Sequence, residues 1–256
     1  MYQTLIKPLF IDVKTFVLDT LFPISCLCCE KESADFICND CKMWLKKLEF
    51  QRCIVCQKAA PFGKTHPGCV TPHCADGLVS FYDYHDENVA QIIIKGKYNF
   101  IPKTFEILAE ITAQKIKIER PDLTAANSRP QSPEALANGG QAYELAYTPL
   151  HATRHRWRGF NQAEVLCRAL SKELNLPIAD VLHRKKATQT QKDLKKETRL
   201  TNISGAFELK SMADVHGKNL ILVDDVTTTG ATLLEAAKVL KRNGTSCVWC
   251  LTVARD

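Results

Sequence analysis

The chain has 256 residues, of which 45% are hydrophobic and 24% charged, and a net charge of +6. This is the composition of an ordinary soluble globular protein, long enough for one sizeable core plus a small module, so two domains are expected. No segment approaches the ~18 uninterrupted apolar residues of a membrane span, which excludes a chain that crosses a bilayer as a helix.

The N-terminal stretch LIKPLFIDVKTFVLDTLFP places Ile6, Leu9, Phe10, Val13, Phe16, Val17 and Leu21 at helical spacing, which predicts an amphipathic helix packed on the protein's own body in preference to a membrane or partner surface. Lys7, Asp12, Lys14 and Asp19 interrupt it, so it lacks the apolar run of a signal peptide.

Twelve cysteines would mean disulfides in a secreted domain. Without a signal peptide the expected compartment is the reducing cytoplasm, where Cys-x-x-Cys pairs are more often metal ligands. Cys26-x-x-Cys29 and Cys38-x-x-Cys41 form two knuckle pairs that predict a four-thiolate structural zinc site. Cys28 has the wrong spacing and is expected to be a spare thiol. Cys53-x-x-Cys56 and Cys69-x4-Cys74 predict a second zinc, with His66 and His73 close by. The wider second pair leaves open a substituted ligand, an interleaved pairing with the first set, or an empty site. So short a region with few large apolar side chains cannot build a core unaided, and metal is expected to hold it folded.

After Cys74, GLVSFYDY reads as the first strand of a larger domain, followed by a short helix ending near Lys95-Gly96-Lys97 and a second from about Lys103 to Ile118. The stretch from 119 to 141 is rich in Pro, Ser, Asn, Ala and Gly without apolar period, and reads as a flexible insertion. AYELAYTPL is a strand. Beyond it Arg154, Arg156 and Arg158 alternate, Gly159 permits a tight turn, and Asn161 caps a helix starting at Gln162. Guanidinium groups there suit bidentate binding of a diphosphate. Trp157 and Phe160 read as loop anchors ahead of base-stacking groups. Cys167 falls on the predicted helix as a core residue.

Seven basic residues lie between Arg184 and Arg199, opposed there by Asp193 and Glu197 alone. Such a surface is compatible with phosphates or nucleic acid. With Thr188, Gln189, Thr190, Gln191 and Asn202 the segment reads as a mobile loop and then a helix, suited to a flap over an active site.

The most informative stretch is LILVDDVTTTGAT, residues 220–232. Leu220, Ile221, Leu222 and Val223 read as a strand buried on both faces, and the helix after it ends at Asn243-Gly244. Asp224 and Asp225 then sit at the carboxyl end of a parallel strand, and Thr227, Thr228, Thr229, Gly230 and Thr232 at a helix N-terminus, where open α/β sheets bind ligands. Backbone amides and hydroxyls there favour a phosphate. Two carboxylates would repel it unless they face hydroxyls, as on a ribose, or a divalent cation. The two halves together describe a ribose 5-phosphate. No G-x-G-x-x-G occurs, and Gly63-Lys64-Thr65 lacks the upstream glycine of a P-loop. In the final strand, TSCVWCLTVA, Cys247 and Cys250 point to opposite faces and cannot share a metal.

This segment resembles the 5-phosphoribosyl-1-diphosphate (PRPP) loop of type I phosphoribosyltransferases. The ordered cysteine pairs, RGFNQ, the Arg199, Asn202 and Phe207 spacing and VDDVTTTG together resemble the ComF/GntX family over nearly the whole chain. That resemblance implies an α/β fold: a type I phosphoribosyltransferase-like parallel sheet flanked by helices over residues 77–256, behind an N-terminal helix and zinc-ribbon module over residues 1–76. It implies that Asp224 and Asp225 face ribose hydroxyls, Thr227 to Thr232 the 5-phosphate, and Arg156 and Arg158 the diphosphate, with Mg²⁺ accompanying PRPP and zinc as the structural metal. It also implies an association with natural transformation and incoming single-stranded DNA.

Two functions are expected to compete. One is a Mg²⁺-dependent phosphoribosyltransferase, for which no catalytic base and no acceptor can be named. The other is a non-catalytic accessory protein, regulated by PRPP or a nucleotide, that binds single-stranded DNA or a DNA-translocation protein.

Overall fold

The computed structural model describes residues 23–124, 142–186 and 203–256. The expected N-terminal amphipathic helix, the body of the expected insertion, and Thr188 to Asn202 of the basic segment lie outside the described residues.

A four-stranded, wholly parallel sheet in the order β1-β6-β5-β2 forms the framework. Its strands are β1 (Gly77–Asp83), β2 (Tyr143–Tyr147), β5 (Asn219–Thr227) and β6 (Cys247–Arg255). The two central strands read as near-continuous apolar runs because both of their faces are covered. Alternation divides each strand between two cores. Ile221, Val223, Trp249 and Leu251 face one, with α2 (Glu87–Tyr98), α3 (Pro102–Glu119) and α5 (Gln162–Leu174). Leu220, Leu222, Val248 and Cys250 face the other, with α6 (Ala231–Arg242) and the small antiparallel pair β3 (Leu182–Arg184) and β4 (Phe207–Leu209). Cys247 and Cys250 are buried in these opposite cores, as the two-residue period requires.

Three local results differ from the sequence reading. β5 runs through Thr227, past the four expected residues, because β6 is equally long and pairs Asp224 with Thr252 and Thr227 with Arg255. The arginines after β2 are not on an open turn. They lie on a short helix, α4 (Ala152–Arg158), closed by Gly159 in the left-handed region at φ 76°. Ordered chain also persists into the expected insertion. α3 extends to Glu119, a 3-10 turn follows over Pro121–Leu123, and the buried Arg120 donates to Asp122 and to the Phe62 carbonyl while lying over the Trp249 ring.

The cysteine-bearing segment, which includes the short helix α1 (Asn39–Trp44), is stitched to this framework. Ile37 and Leu45 enter the first core and Ile54 the second. Leu48 N donates to the Phe81 carbonyl at 2.9 Å, and Asp76 is bonded twice to Val248, through its backbone N–H at 2.8 Å and its carboxylate at 2.6 Å.

Candidate functional site

The carboxyl end of the sheet opens into a cleft of about 390 Å³ lined by Asp224, Asp225, Thr232, Lys97, Thr148, Arg154, Arg158 and Arg184, with Tyr98 and Trp157 at its side. A smaller hollow shares Asp224, Val226 and Thr232 with it and is otherwise formed by Thr227, Thr228, Thr229, Gly230, Ala231 and Leu233. The acid pair and the hydroxyl-lined loop therefore border two adjacent hollows that meet at Asp224, Val226 and Thr232.

Each wall has a local cause. Asp225 N donates to Asp224 Oδ1 at 2.9 Å, turning the first carboxylate along the strand end. Gly230 takes φ 77° to reverse the chain into α6, and Ala231 N donates to Thr229 Oγ1 at 3.4 Å. The first-turn amides of α6 have no intrahelical acceptor, an arrangement that in general favours anions. Asn161 caps α5 through Ala163 N at 3.1 Å and holds the Thr148 carbonyl at 2.9 Å, fixing the end of β2 beside the acids.

The opposite wall is cationic. Arg154 and Arg158 stand four residues apart on α4 and share a face, whereas Arg156, halfway between, is exposed and does not line the cleft. The expected trio is thus a pair, completed by Arg184 from β3. Arg158 Nη1 is oriented by Gln162 Oε1 at 2.7 Å. Phe160 packs against Phe105 as a loop anchor, but Trp157 is 58% exposed, with Tyr98 and Phe100 at its edge.

Burial sets the electrostatics. It pushes the Asp224 carboxyl up to about 7, with the Asp225 charge adding to the effect. It pulls the Arg184 guanidinium down to about 10, aided by Arg154, and lowers Arg158 as well. Lys97 forms an ion pair with Asp225. A cleft with acids on one wall and guanidinium groups on the other suits a ligand with hydroxyls or a cation at one end and phosphate charge at the other.

Sequence reasoning passed over Lys97, Thr148 and the particular role of Arg184. Nothing local separates Lys97 from Lys95, which instead donates to the Leu27 carbonyl. Arg184 is distinguished from its described basic neighbours Lys185 and Lys186 by being 8% exposed on a strand.

Two clusters fit a metal. Cys26, Cys29, Cys38 and Cys41 bring their sulfurs within 4.8 Å of one another. Cys29 and Cys38 are 3.8 Å apart, the separation that zinc–sulfur bonds of about 2.3 Å give in a tetrahedron. Cys38 N and Cys41 N donate to the Cys26 and Cys38 sulfurs at 3.4 Å, as a thiolate favours. Cys28 packs against the first core, outside the cluster.

The second cluster is Cys53, Cys56, His66 and Cys69. His66 replaces the expected Cys74. His66 Nε2 donates to the Ala59 carbonyl at 3.0 Å, which leaves the Nδ1 lone pair facing Cys56 Sγ, 3.2 Å away. Cys74 instead lines a hollow beside the cluster with Cys69, His73, Leu234 and Lys238. The signal was in the spacing: His66-Pro67-Gly68-Cys69 repeats the two-residue gap of the other knuckles, which Cys69 and Cys74 do not. Among the described residues no helix is long and apolar enough to cross a membrane.

Comparison with known proteins agrees with this geometry. Residues 161–256 match the phosphoribosyl transferase domain family. The chain is 42% identical over 110 residues to the DNA utilization protein YhgH of Escherichia coli K12, covering 42% of the chain and 48% of that protein. It is 38% identical over 109 residues to competence protein F of Haemophilus influenzae, covering 42% and 48%, and 34% identical over 102 residues to competence protein ComFC of Bacillus subtilis, covering 40% of each. The matched region thus spans less than half the length of each relative.

Proposed function

We propose, from the premise that this chain belongs to the ComF family, that the cleft binds PRPP with Mg²⁺. The Thr227–Thr232 loop takes the 5-phosphate, Asp224 and Asp225 the ribose hydroxyls, and Arg154, Arg158 and Arg184 the diphosphate. The observation that carries this reading is the adjacency of the acid pair and guanidinium wall of the cleft to the hydroxyl-lined hollow, which shares Asp224, Val226 and Thr232 with it.

In a transfer reaction the guanidinium groups stabilise the leaving diphosphate, and Mg²⁺ would offset its charge. An acceptor would attack the anomeric carbon from the open side. Lys97 pairs with the Asp225 carboxylate and holds it in place when ligand is absent. Titration calorimetry with PRPP and Mg²⁺ on protein of measured zinc content tests the reading. Heat that saturates and disappears in Asp225→Asn supports it, and no heat with the native protein removes it. Pyrophosphate release in the presence of candidate bases then separates a transferase from a binding protein.

A second reading is favoured by Tyr98, Phe100 and Trp157, which are exposed together beside the basic helix α4. Aromatic faces next to positive charge are what single-stranded nucleic acid requires. In this reading the DNA lies along α4 and PRPP regulates it. Titration of a labelled oligonucleotide against salt decides between the two, since phosphate contacts give a steep salt slope. The cytoplasmic setting and the docking of a DNA-translocation protein on the cysteine module belong to the same proposal, as does the division near residue 76.

A further inference from the structure

The outer side of the phosphate loop rests on the second metal cluster. Gln57 closes the Cys53–Cys56 turn, with its backbone in the left-handed region at φ 63° and its N–H donating to the Cys53 carbonyl at 3.1 Å. Its side-chain Nε2 donates to the Ile54 carbonyl at 2.8 Å and to the Thr229 carbonyl at 3.2 Å. Its Oε1 accepts from Arg255 Nη2 at 2.6 Å, so both ends of the amide are committed and the group cannot flip without losing them. Arg255, 1% exposed, also donates to the carbonyls of Arg52 at 2.8 Å and of the metal ligand Cys53 at 3.3 Å. Beside this contact Gly230 lies so close that a Cβ would sit 2.9 Å from Ile54 Cγ1 and 3.1 Å from the Ile54 carbonyl oxygen.

We propose that Gln57 is a positioning residue that transmits the metal state of the second cluster to the phosphate loop, so that zinc at Cys53, Cys56, His66 and Cys69 and phosphate at Thr227–Thr232 stabilise one another. The proposal rests on the reading that this loop binds the phosphate of PRPP. The physical chain is short. Zinc fixes the two cysteines that bracket Ile54 and Val55, that turn fixes Gln57 and Ile54, and these two hold Thr229 and Gly230 in the conformation that presents the α6 amides. Coupling of this kind is reciprocal: if zinc tightens ligand binding, the ligand tightens zinc by the same factor. Among the described residues the first cluster shows no such contact; it packs against α2 and the first core, with Lys95 reaching back to Leu27 and Glu30.

Three measurements on the full chain test this: zinc content, hydrogen exchange at the amides of residues 227–232, and the rate of zinc release to a chelator with and without PRPP and Mg²⁺. Gln57→Ala is expected to keep both metals, to exchange its loop amides about tenfold faster, and to bind PRPP about tenfold more weakly. PRPP should slow release of one zinc equivalent severalfold in the native protein and leave the release rate of Gln57→Ala unchanged. Gln57→Glu, which keeps an acceptor for Arg255 but loses the donor to Thr229, should behave like Gln57→Ala and guards against a simple packing defect. Native loop exchange and native ligand dependence of zinc release in both variants would overturn the proposal. A native protein that takes no PRPP, yet whose loop loses protection in Gln57→Ala, overturns the ligand reading and leaves the coupling standing.

Discussion

The cysteine module and the cleft are held together by opposite means. In the module few large apolar side chains are buried, and two sets of four ligand atoms converge within 4.8 Å. Apart from Ile37, Leu45 and Ile54, which it lends to the two cores, its own interior is built of groups suited to a metal. In the cleft the framework is a parallel sheet whose strands are mostly buried, and charged groups are carried at its rim at a cost to themselves, as the raised carboxyl of Asp224 and the lowered guanidinium of Arg184 record. Metal would make the polar atoms of one region a source of stability, whereas those of the other carry a cost that the proposed ligand would offset.

The largest expected effect breaks the module alone. A structural zinc contributes about 10 kcal/mol to small metal-folded modules, so chelation should abolish amide protection across residues 26–69 while β5 and β6 stay protected. Hydrogen exchange with and without a chelator checks this, and equal loss in the sheet would show that the two regions are one cooperative unit.

The cleft should respond in the opposite direction. Folding raises the Asp224 carboxyl from 3.8 to about 7, so the folded protein without ligand binds a proton that the unfolded chain releases. That contribution is fully present below about pH 4 and is lost as pH rises through about 7. Ligand binding needs the ionised form and should strengthen by up to about tenfold per pH unit on approaching pH 7, then level off. Asp224→Asn should remove both slopes, gain about 1–3 kcal/mol of stability at pH 8, and lose PRPP binding. Thermal melts and calorimetry across pH 5–8 measure this, and a destabilised variant would contradict the account of the cleft.

Smaller effects sharpen the boundary within each region. Arg158→Ala should weaken PRPP about tenfold while Arg156→Ala stays within about twofold, measured by the same calorimetry. Cys74→Ser should leave the zinc content unchanged and stability within about 1 kcal/mol, whereas His66→Ala should release one zinc equivalent.

Much of the framework was legible in the residues. Both central strands announce themselves as unbroken apolar runs, α5 begins at the capping Asn161, and the paired acids followed by threonines and glycine mark the ligand end of the sheet. The parts that were not legible depend on chain returning from a distance. Lys97 meets Asp225 only because α2 ends above β5, and Gln57 meets Thr229 across a sequence separation of 172 residues. The arginines after β2 were misplaced for a local reason: alternation suggested an extended turn, while the helix that forms rotates Arg156 away and leaves Arg154 and Arg158 together.

The order of the strands has a consequence for how the molecule is made. β6 is the last strand in the chain and sits between β1 and β5, and Arg255 at its end reaches back 203 residues to Arg52. A ribosome releases the cysteine turns first, but β1 and β5 have no partner between them until residues 247–255 have emerged. The sheet therefore closes only after residues 247–255 have left the exit tunnel, and the cysteine turns made before them must wait for that anchor.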